Sequence, residues 1–323
     1  MGDFSPFFTS TTSTAINDMK LLHTKTMKAA VFAPGVGEHG VQVLEIPVPS
    51  SHTEHEVYIK VNAAGLNPSN YKVNFARLPF YRHLKGGNHI IGYDVEGTVL
   101  STGASEACKN FHAGSNIYGF AAGSIAEYAI VQCSRAAVSP KSISSLEAAG
   151  LPIVALTSLE AWKRSNLQVG QNVLVIGASG GCGTFGVSIA KALGAKSVTG
   201  ICSTRNIQLV SKLGADIVVD YKSQKDMNTL INGGEQFDII YDTVSSYAPE
   251  DPNYEPMMRP LLKKNGKYVA INGMPMDWVR GIWSKILNIN IQRDQYDLFL
   301  LTPDTKNLDS IRNMIDNNQC VCL

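Results

Sequence analysis

The sequence lacks three features that would assign this protein to a nucleic-acid partner, a membrane or an oxidising compartment. Its 323 residues carry 28 Lys and Arg against 27 Asp and Glu, a net charge of +1, so no electrostatic attraction to nucleic acid or an anionic membrane is expected. No apolar run approaches the roughly 18 residues of a membrane-spanning helix. The six cysteines form no C-x-x-C pair, which fits a reducing compartment rather than a disulfide framework.

What is present is a strand, a glycine-rich turn and a helical pattern between residues 173 and 194. An apolar, mostly β-branched run from Val173 to Ile176 predicts a buried strand. The turn reads GASGGCG from Gly177 to Gly183, and Gly194 stands where a helix C-cap belongs. Glycines let backbone N–H groups approach a pyrophosphate, to which a helix N-terminus offers about half a positive charge. The stretch predicts a dinucleotide site, with ordinary loop glycines as the alternative.

The end of the next predicted strand indicates which dinucleotide is bound. An NAD site places an acidic residue about 20 residues after the last glycine, where it accepts a hydrogen bond from the ribose 2′-OH. Ser203 stands at that position here, followed by Thr204 and Arg205. Hydroxyls and a guanidinium suit a 2′-phosphate. The sequence therefore predicts NADP(H), with a solvated arginine as the alternative.

The pattern along the chain changes near residue 150, and the length allows two domains. Residues 1–26 include the Ser/Thr-rich segment FTSTTSTAIND and are expected to be a disordered leader. Residues 27–150 hold short strand-like runs between turn residues, which is typical of a β-barrel-like domain. Residues 151–290 alternate strands and helices, the pattern of an α/β doubly wound parallel sheet.

Eight motifs together resemble one family. They read GLNPSNYK (65–72), GYDVEGTV (92–99), GSIAEYAIV (123–131), LPIVALTSLEAW (151–162), GASGGCG (177–183), CSTRN (202–206), LGADIVVDY (213–221) and NGKYVAING (265–273). From Met27 to about Asn318 the chain is similar to the zinc-free quinone oxidoreductase branch of the medium-chain dehydrogenase/reductase superfamily, near the zeta-crystallin and alkenal (enone) reductase groups. The resemblance implies a GroES-like catalytic domain joined to a Rossmann domain, NADPH in the cleft between them, and a homodimer.

The resemblance also tells where a catalytic zinc would lie. The alcohol dehydrogenases of the superfamily hold zinc with Cys and with the His of a Gly-His-Glu motif, and the corresponding residues here are Gly92, Tyr93 and Asp94. Since the imidazole is absent and no other Cys and His cluster has ligand spacing, the sequence predicts no metal. A quinone or an α,β-unsaturated carbonyl needs none, because it accepts hydride from nicotinamide C4 while charge develops on its oxygen.

The first motif supplies the candidate catalytic residues. Asn67 matches a family Asn near the nicotinamide and the substrate. Lys72 matches the Lys of an N-P-x-D-x-K pattern, which approaches the cofactor ribose or the developing oxyanion; the alternative is a solvated loop lysine. Tyr71, like Tyr93, has a hydroxyl to donate, although buried tyrosines often serve packing. Asn70 replaces the usual Asp of the pattern but keeps an acceptor oxygen.

The resemblance places cofactor contacts in the second half of the chain. These are the nicotinamide end, the diphosphate turn, the 2′-phosphate pocket and the carboxyl edge of two further strands. The residues, in that order, are Thr157; Ser179, Gly180, Gly181, Cys182 and Gly183; Ser203, Arg205 and Tyr221; Thr243 and Val244; and Asn272 and Gly273. The run MPMDWVRGIW, with Trp278 and Trp283, forms either a wall of the substrate pocket or a core or dimer contact.

Residues 291–323 depart from the family. The segment FLLTPD predicts a strand, and the following residues predict a helix with Leu308, Ile311 and Ile315 on one face, returning toward the catalytic domain. Family members continue through a further helix and a closing strand, so the sequence is expected to be a truncated isoform or a gene-model artefact. The final C-V-C-L also fits a C-a-a-X prenylation box, without the upstream basic cluster.

Together these observations predict an NADPH-dependent, zinc-independent oxidoreductase that transfers hydride to a small apolar quinone or enone. The alternatives are an enoyl-thioester reductase and an NADPH-binding structural or interaction protein with little turnover. Neither nucleic acid nor a transmembrane segment is expected. The expected location is cytoplasmic. A mitochondrial location is the alternative, although the leader lacks the arginines that are typical of a transit peptide.

Overall fold

A computed structural model describes residues 26–32, 40–50, 52–72, 89–245, 252–272, 295–299 and 301–320, with positions 279, 282, 283, 286 and 287. For Tyr71 and Lys72 only the backbone is described. The chain divides into two units. The first consists of Met1–Ile153 and Pro303–Asp309, and the second of Val154–Thr302 and Ser310–Leu323.

The first unit is built from antiparallel strands. They are β1 Thr26–Phe32, β2 Val41–Pro47, β3 Glu56–Gly65, β4 His89–Ile90, β5 Asp94–Thr102, β6 Asn116–Phe120, β7 Tyr128–Gln132 and β8 Ala136–Val138. The order is β7-β3-β5-β6-β8 in a five-stranded sheet and β2-β1-β4 in a three-stranded sheet. Alternate residues of the larger sheet, such as Val57 and Ile59 of β3, are fully buried in its core. The β-rich first half that the short runs predict is therefore confirmed.

A disulfide between Cys108 and Cys133 corrects the expectation of unpaired cysteines. Their Cα atoms are 5.2 Å apart, and 25 residues of sequence separate them. Each lies in a short 3-10 turn, Glu106–Cys108 or Cys133–Arg135, and both are buried in the core of the five-stranded sheet. The spacing gave no sign of the pair, because the fold of the sheet brings these two turns together.

The second unit contains a parallel sheet. Its strands are β9 Asn172–Ile176, β10 Ser197–Cys202, β11 Ile217–Asp220, β12 Phe237–Asp242, β13 Leu262–Ala270 and β14 Tyr296–Leu298, in the order β11-β10-β9-β12-β13-β14. The chain runs outward from β9 through β10 to β11 and then continues on the other side of β9 with β12. Such a reversal opens a crevice at the carboxyl ends of the strands. The predicted doubly wound sheet is confirmed.

Helices connect these strands. They are α1 Ser69–Lys72, α2 Ser145–Ala149, α3 Pro152–Ser165, α4 Gly181–Ala192, α5 Ile207–Lys212, α6 Gln224–Asn232, α7 Glu255–Met258 and α8 Thr305–Asp316. Their starts are legible in the sequence: Ser144 and Glu147 form a capping box on α2, and Pro152 opens α3. None of the described helices is long and apolar enough to cross a membrane.

The C-terminal segment confirms one expectation and corrects another. Helix α8 buries Leu308, Ile311 and Ile315 as predicted. The strand, however, is Tyr296–Leu298 and not FLLTPD, because β14 pairs with β13 only as far as Ala270, where β13 ends. Phe299 and Leu301, the described residues of the apolar run after Leu298, lie outside any strand.

Candidate functional site

The glycine turn after β9 is packed too tightly for side chains. Gly177 has φ of +77°, and a Cβ there would fall on the side chains of Thr243 and Val244. A Cβ on Gly183 would overlap the carbonyl of Gly177. These two positions therefore require glycine. At the other end of α4, Gly194 has φ of +87° and donates its N–H to the carbonyl of Lys191, which confirms the predicted C-cap.

The N-terminus of α4 carries the backbone N–H groups that come before its hydrogen-bond ladder. The first hydrogen bond within this helix runs from the Thr184 N–H to the Gly180 carbonyl, at 2.8 Å. The amides of Gly181 and Gly183 precede that bond and so lie outside the i to i−4 ladder of the helix. With the helix dipole behind them, they form a site suited to a phosphate group.

A cavity of about 460 Å³ opens beside this turn, at the carboxyl ends of β9, β10 and β12. Seven of the predicted cofactor residues line it: Ser179, Gly180, Ser203, Arg205, Tyr221, Thr243 and Val244. Asn206, Pro252 and Tyr254 also line it, and sequence reasoning missed them as contacts. Asn206 at least was visible in the sequence, since it is the last residue of the CSTRN motif.

Polar groups organise the end of the cavity at β10. The Asn206 Nδ2 donates to the Ser179 Oγ at 2.9 Å and to the Ser203 Oγ at 3.3 Å, so one amide orients two hydroxyls. Ser203 is buried, whereas Arg205 is exposed and Tyr221 is 45% exposed. Within the described part of the chain, the Arg205 guanidinium forms no ion pair. It is therefore available to an anion.

The carboxylate nearest this end, Asp220, is turned toward its own loop. It accepts hydrogen bonds from the Thr204 Oγ1 and, at 2.9 Å, from the backbone N–H of Lys222. The bond from Thr204, followed by that from Lys222, lowers the pKa of the Asp220 carboxyl. Asp220 does not line the cavity.

The opposite wall is fixed by the buried carboxylate of Asp242. This side chain accepts from the backbone N–H groups of Val244 and Ser245, both at 2.9 Å, and from the Tyr268 hydroxyl. Burial, and then the charge of Asp242, raise the pKa of Tyr268, so this hydroxyl stays a donor. Thr243 adds a bond from its Oγ1 to the Ile176 carbonyl at 2.8 Å. The turn after β12 is thus held against β9.

Of the predicted cofactor residues that the structure describes, five do not line this cavity: Thr157, Gly181, Cys182, Gly183 and Asn272. Thr157 lies on α3 and is 8% exposed. Asn272 follows β13, and its carbonyl accepts from the Tyr296 hydroxyl at 3.4 Å. Gly273 and Trp278 lie outside the described residues. Trp283 is half exposed.

In the first unit, Asn67 contacts Asp94, a residue that the sequence analysis considered only in the stretch corresponding to the zinc motif of the alcohol dehydrogenases. The Asn67 Nδ2 donates to the Asp94 Oδ2 at 2.8 Å, and the backbone N–H of Ile153 donates to both oxygens of Asp94 at 3.1 and 3.2 Å. Desolvation of the buried carboxyl outweighs these bonds and raises the pKa of Asp94 to about 7. Asn70 accepts from the Asn67 N–H at 2.6 Å, the acceptor role expected of it. The side chains of Tyr71 and Lys72 lie outside the described residues.

The residues at positions 92–94 do not fit a catalytic zinc. The Tyr93 ring, at the position of the imidazole in the zinc-dependent relatives, stacks on Phe120 with ring centroids 4.9 Å apart. The Asp94 carboxylate is already bonded to Asn67 and Ile153. Elsewhere in the described ranges, no three His, Cys, Asp or Glu side chains assemble into a group that would hold a metal ion. The absence of a metal stays a prediction.

Comparisons with known proteins now identify the family. Residues 53–141 match the family model "Alcohol dehydrogenase GroES-like domain", and residues 181–277 match "Zinc-binding dehydrogenase". The chain is 30% identical over 295 residues to the chloroplast envelope quinone oxidoreductase homolog of Arabidopsis thaliana, a match that covers 87% of this chain and 84% of the relative. It is 32% identical over 302 residues to the mitochondrial NAD(P)H oxidoreductase RTN4IP1 of Homo sapiens, covering 83% and 74%.

The chain belongs to the medium-chain dehydrogenase/reductase superfamily. Its fold agrees: the quinone oxidoreductase of Coxiella burnetii superimposes with a TM-score of 0.73 at 23% identity, covering 92% of this chain and 90% of that one. The GroES-like and Rossmann folds implied by the sequence motifs are confirmed. As a medium-chain dehydrogenase/reductase with quinone oxidoreductase relatives, the protein is an oxidoreductase of a nicotinamide cofactor. These relatives are named as chloroplast or mitochondrial proteins, so the expected cytoplasmic location is not confirmed.

Proposed function

We propose that this protein transfers hydride from NADPH to a small apolar quinone or α,β-unsaturated carbonyl, without a metal ion. The observation that carries the proposal is the composition of the cavity at the carboxyl ends of β9, β10 and β12. A hydroxyl, a guanidinium and a phenol line its β10 end, from Ser203, Arg205 and Tyr221, and none of the described lining residues is a carboxylate. An NAD site would place a carboxylate here.

The residues of this cavity fit the successive parts of NADPH. The amides at the start of α4, from Gly181 to Gly183, would hold the diphosphate, which approaches closely because the turn has no Cβ atoms. Ser203 and Arg205 would hold the 2′-phosphate, with Asn206 orienting the serine hydroxyl. When bound, the cofactor supplies a hydride from its nicotinamide ring.

Asn67, Lys72 and Tyr71 are the proposed catalytic residues, on the basis of the family resemblance. The Asn67 amide orients the reactants, and the Lys72 ammonium stabilises the negative charge that develops on the substrate oxygen. Removing one preorganised donor of this kind lowers kcat by a factor of about 10²–10³. An already activated substrate leaves the protein mainly this task of orientation and charge stabilisation. The names of two relatives support the substrate class: the quinone oxidoreductase homolog above and the NADPH-dependent alkenal/one oxidoreductase of Arabidopsis thaliana, 30% identical over 270 residues.

The decisive experiment measures NADPH and NADH oxidation by the purified chain with a panel of 1,2- and 1,4-quinones and short alkenals. We expect turnover with a preference for NADPH. Arg205→Ala should raise KM for NADPH about 10-fold, the effect of one charge-assisted contact, and leave KM for NADH unchanged. Lys212→Ala, an exposed cation on α5 that does not line the cavity, is the matched control. Tight NADPH binding without turnover of any acceptor would favour a nucleotide-binding or interaction protein instead.

We further propose an oligomeric state, domain bounds and a location for this protein. The chain forms a homodimer, as the resemblance implies, and sedimentation velocity of the purified protein measures this. Its domains are a GroES-like domain at 27–150 and a Rossmann domain at 151–290, which limited proteolysis would delimit. A fluorescent fusion of the full chain would distinguish the cytoplasmic from the mitochondrial location.

A further inference from the structure

We propose that Asp94 is a positioning residue whose buried carboxylate fixes the side-chain amide of Asn67 in one orientation. The inference rests on the proposed function, because Asn67 acts on the reactants there. Asp94 itself is not assigned a contact with substrate or cofactor. Asp94 determines whether the oxygen or the nitrogen of the Asn67 side-chain amide faces the substrate and the cofactor.

The position of Asp94 in the fold explains its burial. It is the first residue of β5, between Gly65 of β3 and Phe120 of β6 in the five-stranded sheet, and it has no exposed surface. A Cβ on Gly65 would lie 3.0 Å from the Asp94 Cβ and 2.5 Å from the Ala149 carbonyl oxygen. The carboxylate therefore sits in a closely packed environment, where each of its hydrogen bonds matters.

Among the described residues, N–H donors satisfy this carboxylate and no cation does. The Ile153 N–H belongs to the first turn of α3, where amides lack helical acceptors, and it donates to both Asp94 oxygens. The Asn67 Nδ2 donates to Oδ2. Within the described residues, Asp94 forms no ion pair. Asn67 is thus one of only two donors that the described structure supplies to a buried charge.

This pairing removes an ambiguity that every asparagine carries. The two ends of a carboxamide have the same shape but opposite hydrogen-bonding character. An ionised carboxylate only accepts, so it must face the Asn67 Nδ2, and the Asn67 Oδ1 must point away from it. The backbone of Asn67 is held independently by its bond to Asn70. The orientation of the amide therefore depends on Asp94 alone among the described contacts.

Protonation of Asp94 would reverse the constraint, because a carboxylic acid also donates. The raised pKa of Asp94, about 7, places that change near neutral pH. The titratable groups that the structure describes on β5 and α2 beside this side chain are engaged elsewhere. Glu96, two residues along β5, is bonded to Asn62 and Ser139 at 3.1 and 3.2 Å; Glu147 of α2 caps its own helix; and Tyr93 stacks on Phe120.

The test compares Asp94→Asn with Glu96→Gln. Glu96 is also a buried carboxylate on β5 that holds an asparagine amide, but it lies outside the proposed machinery. In Asp94→Asn, the new carbonyl accepts from Ile153 and the new NH₂ group faces Asn67, which turns the Asn67 amide over. We expect kcat to fall about 10- to 100-fold, the size of a small misplacement, with KM for NADPH unchanged. Glu96→Gln should keep kcat.

Two readouts separate positioning from a merely structural role. In the wild type, kcat should rise with pH through about 7, as Asp94 ionises, and this limb should be absent from Asp94→Asn. It should also be absent from the residual activity of Asn67→Ala, which keeps Asp94 and so tests the idea even if Asp94→Asn does not fold. Wild-type kcat in Asp94→Asn, or an acid limb that persists in Asn67→Ala, would overturn the inference.

Failure of the proposed function gives a different result. If the wild type turns over no acceptor, the Asn67 side-chain amide is followed by ¹⁵N NMR from acidic to alkaline pH, its signal being identified by its loss in Asn67→Ala. A change through about pH 7 that is absent in Asp94→Asn would support control of the amide by Asp94. A pH-independent signal would refute it.

Discussion

The disulfide between Cys108 and Cys133 should contribute measurably to the stability of the first unit. The perturbation is its removal, either by dithiothreitol or by the double substitution Cys108→Ala with Cys133→Ala. Both residues are buried in the core of the five-stranded sheet, and hydrogen bonds also hold their turns, such as that from the Cys133 N–H to the His55 carbonyl at 2.9 Å. Opening the bond leaves the folded contacts in place and mainly frees the unfolded chain.

The magnitude follows from the length of the closed loop. The two cysteines are 25 residues apart, and for a loop of this length the chain-entropy relation gives about 3.5 kcal/mol at room temperature. In a domain of 150–250 residues each kcal/mol shifts the melting temperature by about 2–4 °C. Reduction should therefore lower the melting temperature of the first unit by about 7–14 °C.

Calorimetry with and without dithiothreitol measures this shift, and thiol titration of the denatured protein counts the free cysteines. The double alanine variant is the control, since its melting temperature should be low already and should not respond to the reductant. If all six cysteines titrate without reductant, and dithiothreitol leaves the melting temperature of the wild type unchanged, the reasoning is refuted.

Two other predictions concern the glycine turn and the buried carboxylate. Gly183→Ala should weaken NADPH binding at least about 10-fold, because the new Cβ overlaps the Gly177 carbonyl and displaces the amides at the helix start. Fluorescence titration measures this affinity. Gly150→Ala is the control and should bind NADPH normally, because a Cβ there would meet nothing closer than 3.4 Å. Desolvation raises the pKa of Asp94 to about 7, above its unfolded value of about 3.9. Between these two pH values the folded state therefore binds one more proton than the unfolded state. The free energy of unfolding of the wild type should fall as pH rises from about 4 to 7, by up to about 4 kcal/mol. Urea unfolding across that range should show this slope in the wild type and not in Asp94→Asn, and an equal slope in both proteins would contradict the assignment.

The second unit was largely legible in the sequence, because its signals are local. A buried strand, a glycine turn and a helix follow one another within residues 172–194, and the steric reason for Gly183, the Gly177 carbonyl, lies in the same segment. Parallel strands place their carboxyl ends along one edge. The family resemblance assigned Ser203 and Tyr221 to a phosphate pocket, and the carboxyl edge of the sheet suggested Thr243; the structure brings the three together in one cavity.

The sequence could not predict contacts that depend on distant elements. The end of β14 at Leu298 is set by the end of β13, not by the apolar run that follows. The Cys108 to Cys133 bond depends on two turns that only the folded sheet brings together. The link from Asn206 to both Ser179 and Ser203 requires the turn after β10 to fold back on the glycine turn. In each case a tertiary partner decides the outcome, and its identity is absent from the local pattern.

The segment Gly92 to Asp94 shows how far a negative result from sequence extends. The missing imidazole excludes one way of binding zinc, but it does not predict which contacts Tyr93 and Asp94 make instead. In the structure, the Tyr93 ring packs on Phe120, while Asp94 turns to Asn67 and to the start of α3. Among the described residues Asp94 has no ion-pair partner, and burying such a carboxylate is costly unless hydrogen bonds offset the cost. The hydrogen bonds of Asp94 favour a role in orienting Asn67. The acid limb of the pH profile, and not stability alone, should therefore change when Asp94 is replaced.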